Sequence, residues 1–161
     1  MITVRRLRLG EGELFKQMRL ISLCESPSAF SSTYESALKR TLESWREQAD
    51  KSAEGPDRAT FLLFSEDAPI GIAALYRDLN NIDTGEVVQV WVSPEFRGTG
   101  VAETLMEAVL GWASENGFRR VLAGINQGNV RALRFYQRLG FGPVQEMKGD
   151  GTGGFLVKDV G

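Results

Sequence analysis

A mixed α/β fold is predicted, a sheet with parallel and antiparallel strands flanked by helices, and three observations predict it. First, Val87-Val88-Gln89-Val90-Trp91-Val92 is an apolar, β-branched run stopped by Ser93-Pro94. A turn rich in glycine follows, and Val101, Leu105, Ala108, Val109 and Trp112 then recur on one helical face. Second, strand-like stretches before this turn follow one another without a helix, which demands antiparallel pairing. Third, strands and helices alternate after it, so strand, helix and next strand form a βαβ unit with parallel, right-handed pairing. A chain of 161 residues accommodates this as one domain spanning 1–161.

Ile2 to Leu9 reads as a strand that Gly10 ends. Leu14, Met18 and Ile21 mark one face of a helix from Glu11 to about Cys24, which Ser26-Pro27-Ser28 breaks; Cys24 is expected in its core. Ser31-Ser32-Thr33 offers N-caps, and Leu38, Leu42, Trp45 and Ala49 predict one second helix. After the Glu54-Gly55-Pro56-Asp57 turn, Ala59 to Ser65 and Ile70 to Tyr76 are strands, followed by a polar stretch from Asp78 to Thr84. A helix from Gly100 to Asn116 stops at Gly117; Arg120 to Ile125 is a strand, and Asn129 to Arg138 a helix stopped by Gly140. Two strands, about Phe141 to Met147 and Phe155 to Asp159, close the order β-α-α-β-β-β-α-β-α-β-β.

Composition excludes several chemistries. With no histidine and one cysteine, neither a Cys/His zinc site nor a His-dependent triad can form, and no metal is expected. Acid–base work falls to Asp, Glu, Tyr, Lys, Cys or water. A formal net charge of −2 argues against a nucleic-acid partner and suits a cationic amine. No run approaches the roughly 18 apolar residues of a membrane span. Nothing behind Met1-Ile2-Thr3-Val4-Arg5-Arg6 reads as a signal peptide, so no membrane partner and a cytoplasmic location are expected.

The turn after Val92 carries the chemistry. A strand, tight turn and helix can converge backbone N–H groups on a phosphate. Gly98 and Gly100 admit a ligand close to the backbone, and Arg97 adds charge-assisted donors. Glu103 stands where a dinucleotide fingerprint needs its third glycine, and no Lys-Ser/Thr pair follows as a P-loop requires. A diphosphate-binding loop remains, beside the plainer reading of a turn whose glycines serve geometry.

These residues resemble the GNAT superfamily of N-acetyltransferases, over essentially the whole chain. The superfamily's Gln/Arg-x-x-Gly-x-Gly/Ala signature is matched by Arg97-Gly98-Thr99-Gly100-Val101-Ala102, preceded by Val92-Ser93-Pro94-Glu95-Phe96. Its second signature is matched by Asn126, Asn129, Ala132, Phe135, Tyr136 and Leu139-Gly140-Phe141. Arg19-Leu20 through Ser26-Pro27-Ser28-Ala29-Phe30-Ser31-Ser32-Thr33, with Trp45, resembles a common bacterial branch.

The resemblance implies a GNAT-like acyl-CoA N-acyltransferase fold, acetyl-CoA as co-substrate and transfer of its acetyl group to a primary amine of a small molecule or peptide. Arg97, Gly98, Thr99, Gly100, Val101 and Ala102 would hold the pyrophosphate. Gln89, Trp91 and Val92 would lie along pantetheine or the thioester, where the strand splays at a bulge and a backbone N–H polarises the carbonyl. Asn129 would reach the cofactor or the adjacent strand's backbone, a role compatible with capping its helix, and Arg131 and Arg134 the phosphate or adenine side. Tyr136 would protonate the leaving thiolate, with Phe135 as its core neighbour. Glu86 is the candidate general base, its plainer reading being a solvated strand end, and Asp83 is a second candidate. Glu25, Phe30, Glu35 and Asp83 are expected to bind the acceptor, with Asp78 a further acidic candidate there. Attack is expected to be direct, in a ternary complex without an acyl-enzyme. A homodimer through edge strands such as Phe155-Leu156-Val157 is also implied. Another acyl-CoA, a protein N-terminus or lysine as acceptor, and a non-catalytic CoA-binding or dimerisation module stay open.

Overall fold

Hydrophobic periodicity and turn residues divide the chain much as expected. The computed structural model describes residues 1–27, 32–126, 128–144 and 154–161. It contains β1 (Ile2–Arg6), α1 (Gly12–Glu25), α2 (Tyr34–Leu38), α3 (Leu42–Ala53), β2 (Arg58–Ser65), β3 (Ala68–Asp78) and β4 (Asn81–Val92). A short 3-10 turn at Pro94–Phe96 leads to α4 (Val101–Glu115), β5 (Arg120–Ile125), α5 (Val130–Arg138), β6 (Gly142–Pro143) and β7 (Gly154–Asp159). The strands take the order β1-β2-β3-β4-β5-β7-β6. β4 and β5 are parallel, Thr84 opposite Arg120 and Val87 opposite Ala123, as a helical crossover requires. β1 with β2, β5 with β7 and β6 with β7 are antiparallel. The expected strand from Phe141 to Met147 is described only at Gly142–Pro143; residues 145–153 lie outside the described residues.

The single second helix expected from Leu38, Leu42, Trp45 and Ala49 is two helices. Thr33 Oγ1 accepts from Ser36 N at 3.1 Å and starts α2. Thr41 Oγ1 accepts from Ser44 N at 3.1 Å and starts α3. Each hydroxyl satisfies an N–H with no partner in its own helix, so the chain restarts at Thr41. Leu38, expected on the apolar face, is 53% exposed.

Two compact units are present, Met1–Ala74 with Gln89–Val109, and Leu75–Val88 with Leu110–Gly161. The first is built on Leu7, Phe15, Met18, Leu23, Trp45, Leu62, Ile72 and Trp91. Phe15 meets Trp45 edge to face at 5.7 Å, and the Arg40 guanidinium lies 3.8 Å over the Trp45 ring. This docking sets the phase of α1: Phe15, Met18, Ser22 and Leu23 are buried, whereas Ile21 and Cys24, both expected inside, are exposed.

In the second unit, a Cβ at Gly85 would sit 2.6 Å from the Phe118 ring, so only glycine lets that ring against β4. Arg77 covers the same ring at 3.9 Å and donates to Asn116 O at 2.8 Å. Arg119 N donates to Asp83 O at 2.7 Å. Tyr136 is buried between the Phe135 and Phe141 rings, each at 5.2 Å. Phe135, expected as the core member, is the half-buried one of the pair. No helix among the described residues is long and apolar enough to cross a membrane.

Candidate functional site

The loop of the first unit begins where Ser93 N donates to Ile70 O at 2.7 Å, holding the end of β4 while Pro94 opens the 3-10 turn. Gly98 (φ 79) and Gly100 (φ 89) are both left-handed, and among the described residues, their chain neighbours aside, no atom lies within 4 Å of where a Cβ would stand on either. Val101 then starts α4, whose first N–H groups have no acceptor within the helix. Thr99 Oγ1 donates back to Phe96 O, which braces the turn from inside. Unobstructed glycines before the positive end of a helix dipole fit a diphosphate.

β4 is interrupted just before that loop. Its residues paired with β5 run from Thr84 to Val87, and Gln89 takes φ 60, a left-handed conformation that marks a bulge in a non-glycine strand residue. Gln89 Oε1 is buried and has no hydrogen-bond partner among the described residues. Trp91 is buried, and its Nε1 donates to Glu25 Oε2 at 2.8 Å. Arg97 Nη2 donates to the same oxygen at 2.7 Å, and Arg97 Nε to Val92 O at 3.0 Å. Ser26 Oγ also donates to Glu25 Oε2 and accepts from Arg97 Nη2 at 3.4 Å. Arg97, then Ser26 and Trp91, hold the Glu25 carboxyl down at about 2.

Glu25, Trp91, Val92 and Arg97, singled out separately in the sequence, are thus joined in one cluster. Ser26 belongs to it as well, although its sequence signal was that of a helix breaker. Ala102 is half-buried on the first turn of α4, and Glu35 is exposed in the first turn of α2. Phe30 lies outside the described residues.

In the second unit Glu86 lies inside β4, in register with Leu122, rather than at a solvated strand end. It is half-buried, and burial pushes its carboxyl above the ordinary 4.5. Thr84, two residues earlier on the same face, is buried, and its Oγ1 has no hydrogen-bond partner among the described residues. Sequence reasoning missed Thr84; the i, i+2 spacing to Glu86 was its available signal. Burial also pushes the Tyr136 phenol well above the ordinary 10.0, so the hydroxyl keeps its proton. Asn129 caps α5, its Oδ1 accepting from Ala132 N at 3.1 Å. Asp78, Asp83, Arg131 and Arg134 are exposed.

Comparison with known proteins bears on this geometry. The sequence profile of the Acetyltransferase (GNAT) family matches residues 20–141. An uncharacterised N-acetyltransferase of Mycobacterium tuberculosis is 38% identical over 86 residues, 53% of this chain and 54% of that protein. An aminoglycoside N(6')-acetyltransferase type 1 of Salmonella typhimurium is 32% identical over 89 residues, 52% of this chain and 61% of the relative. The chain thus spans about half the length of the curated relatives it matches. A GNAT acetyltransferase structure from Streptococcus pneumoniae shares the fold at TM-score 0.81 and 19% identity, covering 100% of both chains. The PaiA N-acetyltransferase of Thermoplasma acidophilum, solved in complex with coenzyme A, does so at TM-score 0.75 and 17% identity, covering 99% of each. The profile crosses the glycine loop, β5 and α5 in one continuous match, and the chain belongs to the Acetyltransferase (GNAT) family.

Proposed function

We propose that this chain is a single acetyl-CoA-dependent N-acetyltransferase domain that moves an acetyl group to a primary amine by direct attack in a ternary complex. The observation that carries the reading is the pair of left-handed, unobstructed glycines, Gly98 and Gly100, immediately before α4. The N–H groups from Gly98 to Ala102 bind the pyrophosphate, and the backbone from Gln89 to Val92 binds pantetheine and polarises the thioester carbonyl. Bound acetyl-CoA supplies the activated acyl group.

Glu86 takes the proton that an ammonium acceptor must lose before it attacks; its raised carboxyl makes it a better base than a solvated glutamate. Tyr136 gives a proton to the departing thiolate, and its burial keeps that proton in place at neutral pH. Cys24, exposed on α1, has no part in this scheme, and no acetyl-enzyme accumulates.

Calorimetric titration with acetyl-CoA tests the loop. The parent protein binds, and Gly100→Glu does not, because a side chain at φ 89 strains the turn and its charge opposes the phosphates. A folded parent that fails to bind sinks the reading. Binding by the parent opens an acceptor screen across small polyamines, aminoglycosides and N-terminal peptides.

A further inference from the structure

Glu25 stands where helix electrostatics disfavour it. It is the last residue of α1, whose final turn holds no basic residue, so its charge adds to the negative end of the dipole. One oxygen, Oε2, nevertheless collects three donors: Ser26 Oγ, Trp91 Nε1 at 2.8 Å and Arg97 Nη2 at 2.7 Å. Two of them arrive from 66 and 72 positions along the chain. Arg97 also folds back through Nε onto Val92 O at 3.0 Å. Its guanidinium therefore joins the end of α1 to the end of β4, directly beside the first left-handed glycine of the loop. The Glu25 and Arg97 side chains are each 31% exposed, and ion pairs of this kind add little to stability. The consequence of the cluster lies in geometry.

We propose that Glu25 is a positioning residue for the cofactor: through Arg97 and the Trp91 indole it pre-forms the Gly98–Gly100 loop and the end of β4 for the diphosphate and pantetheine arm. This deepens the acetyl-CoA reading and rests on it. All three donors sit on Oε2 and one of them is the Arg97 guanidinium, so the cation Glu25 serves is Arg97 rather than the acceptor ammonium. A loop held in its binding geometry before the ligand arrives avoids the ordering cost at the moment of binding.

The test is calorimetric titration with coenzyme A itself, which needs no acceptor, on the parent and on Glu25→Gln, Glu25→Asp and Glu25→Ala. Melting temperatures are measured alongside. Glu25→Gln and Glu25→Ala are expected to bind about tenfold more weakly, the scale of one charge-assisted bond. Glu25→Asp recovers part of the loss, and melting moves little because the pair is exposed. Emission of Trp91 in the ligand-free protein, isolated by subtracting the Trp91→Phe spectrum, shifts in Glu25→Ala. A merely structural residue would lower melting and leave coenzyme A affinity alone.

Unchanged affinity in every Glu25 variant, with a parent that binds, overturns the positioning role and leaves the acetyl-CoA reading intact. Tighter binding by Glu25→Gln overturns it too, since Glu25 would then be withholding Arg97 from the phosphates. A parent that does not bind coenzyme A removes the reading and the positioning role together.

Discussion

Two glutamates, one in each unit, meet opposite fates. Glu25 ends a helix, takes donors from Ser26, Trp91 and Arg97 on one oxygen, and is held down at about 2. Glu86 lies within a strand beside the buried Thr84, and burial pushes its carboxyl up. Glu25 is exposed and Glu86 half-buried, so depth and donors both separate them. The donors on Oε2 favour the ion at Glu25, while desolvation disfavours it at Glu86. A carboxylate locked in its charged form is a strut. One with its two protonation states drawn together can take and return a proton.

The sharpest way to break this contrast is removal of each charge. Glu86→Gln is expected to lower kcat by about 10²–10⁴-fold, the usual contribution of a positioned acid–base group, and to keep coenzyme A affinity within about twofold. Glu25→Gln should show the inverse pattern, weaker cofactor binding with kcat largely kept. If steady-state kinetics give both variants the same profile, the division between strut and base fails.

Tyr136 sharpens the second unit. Tyr136→Phe keeps the ring contacts to Phe135 and Phe141 and is expected to melt like the parent while losing about tenfold in kcat, the low side of acid–base effects. Tyr136→Ala empties the site and is expected to cost about 3–5 kcal/mol in urea unfolding, as for other buried aromatics. Comparable destabilisation by both variants would make the hydroxyl a structural bond.

The two units should also respond to pH with opposite sign. The Glu25 pKa is depressed, so its contribution to stability is complete above the ordinary 4.5 and is lost as pH falls towards about 2. The Tyr136 pKa is raised, so its contribution is complete below the ordinary 10.0 and is lost as pH rises beyond it. Urea midpoints of Glu25→Gln and the parent should differ only slightly at neutral pH, the pair being solvent-screened, and coincide in acid. Those of Tyr136→Phe and the parent should change their difference in alkali. In catalysis, the acid limb of the rate profile should lie above the ordinary 4.5 and vanish in Glu86→Gln. A limb that survives the substitution assigns the base elsewhere.

The smallest effects concern helix starts. Thr41→Ala and Asn129→Ala each remove a side-chain acceptor from a helix N-terminus and are expected to cost about 1 kcal/mol in thermal unfolding. Thr33→Ala should cost less, because the helix it starts has five residues. Losses several times larger at Asn129 would give it a role beyond the cap.

Much of this molecule was legible before folding because its causes are local. The glycine loop, the βαβ alternation and the Asn129 cap all depend on residues a few positions apart: φ > 0 needs glycine, a helical face repeats every three or four residues, and a cap bonds three residues on. The parallel register of β4 with β5 follows from the same pattern, since a helix returns the chain in the same direction.

What proximity along the chain could not supply is which surface meets which. Docking of Phe15 on Trp45 rotated α1 enough to expose Ile21 and Cys24. Tyr136 rather than Phe135 turned inward, because Phe141 and Phe135 close around it. Glu25 found its partners 66 and 72 positions away, and with them its charge. A carboxylate's role is set by the donors and the water around it. Those are assembled by packing at long separation, where side-chain type alone carries no information about the neighbour.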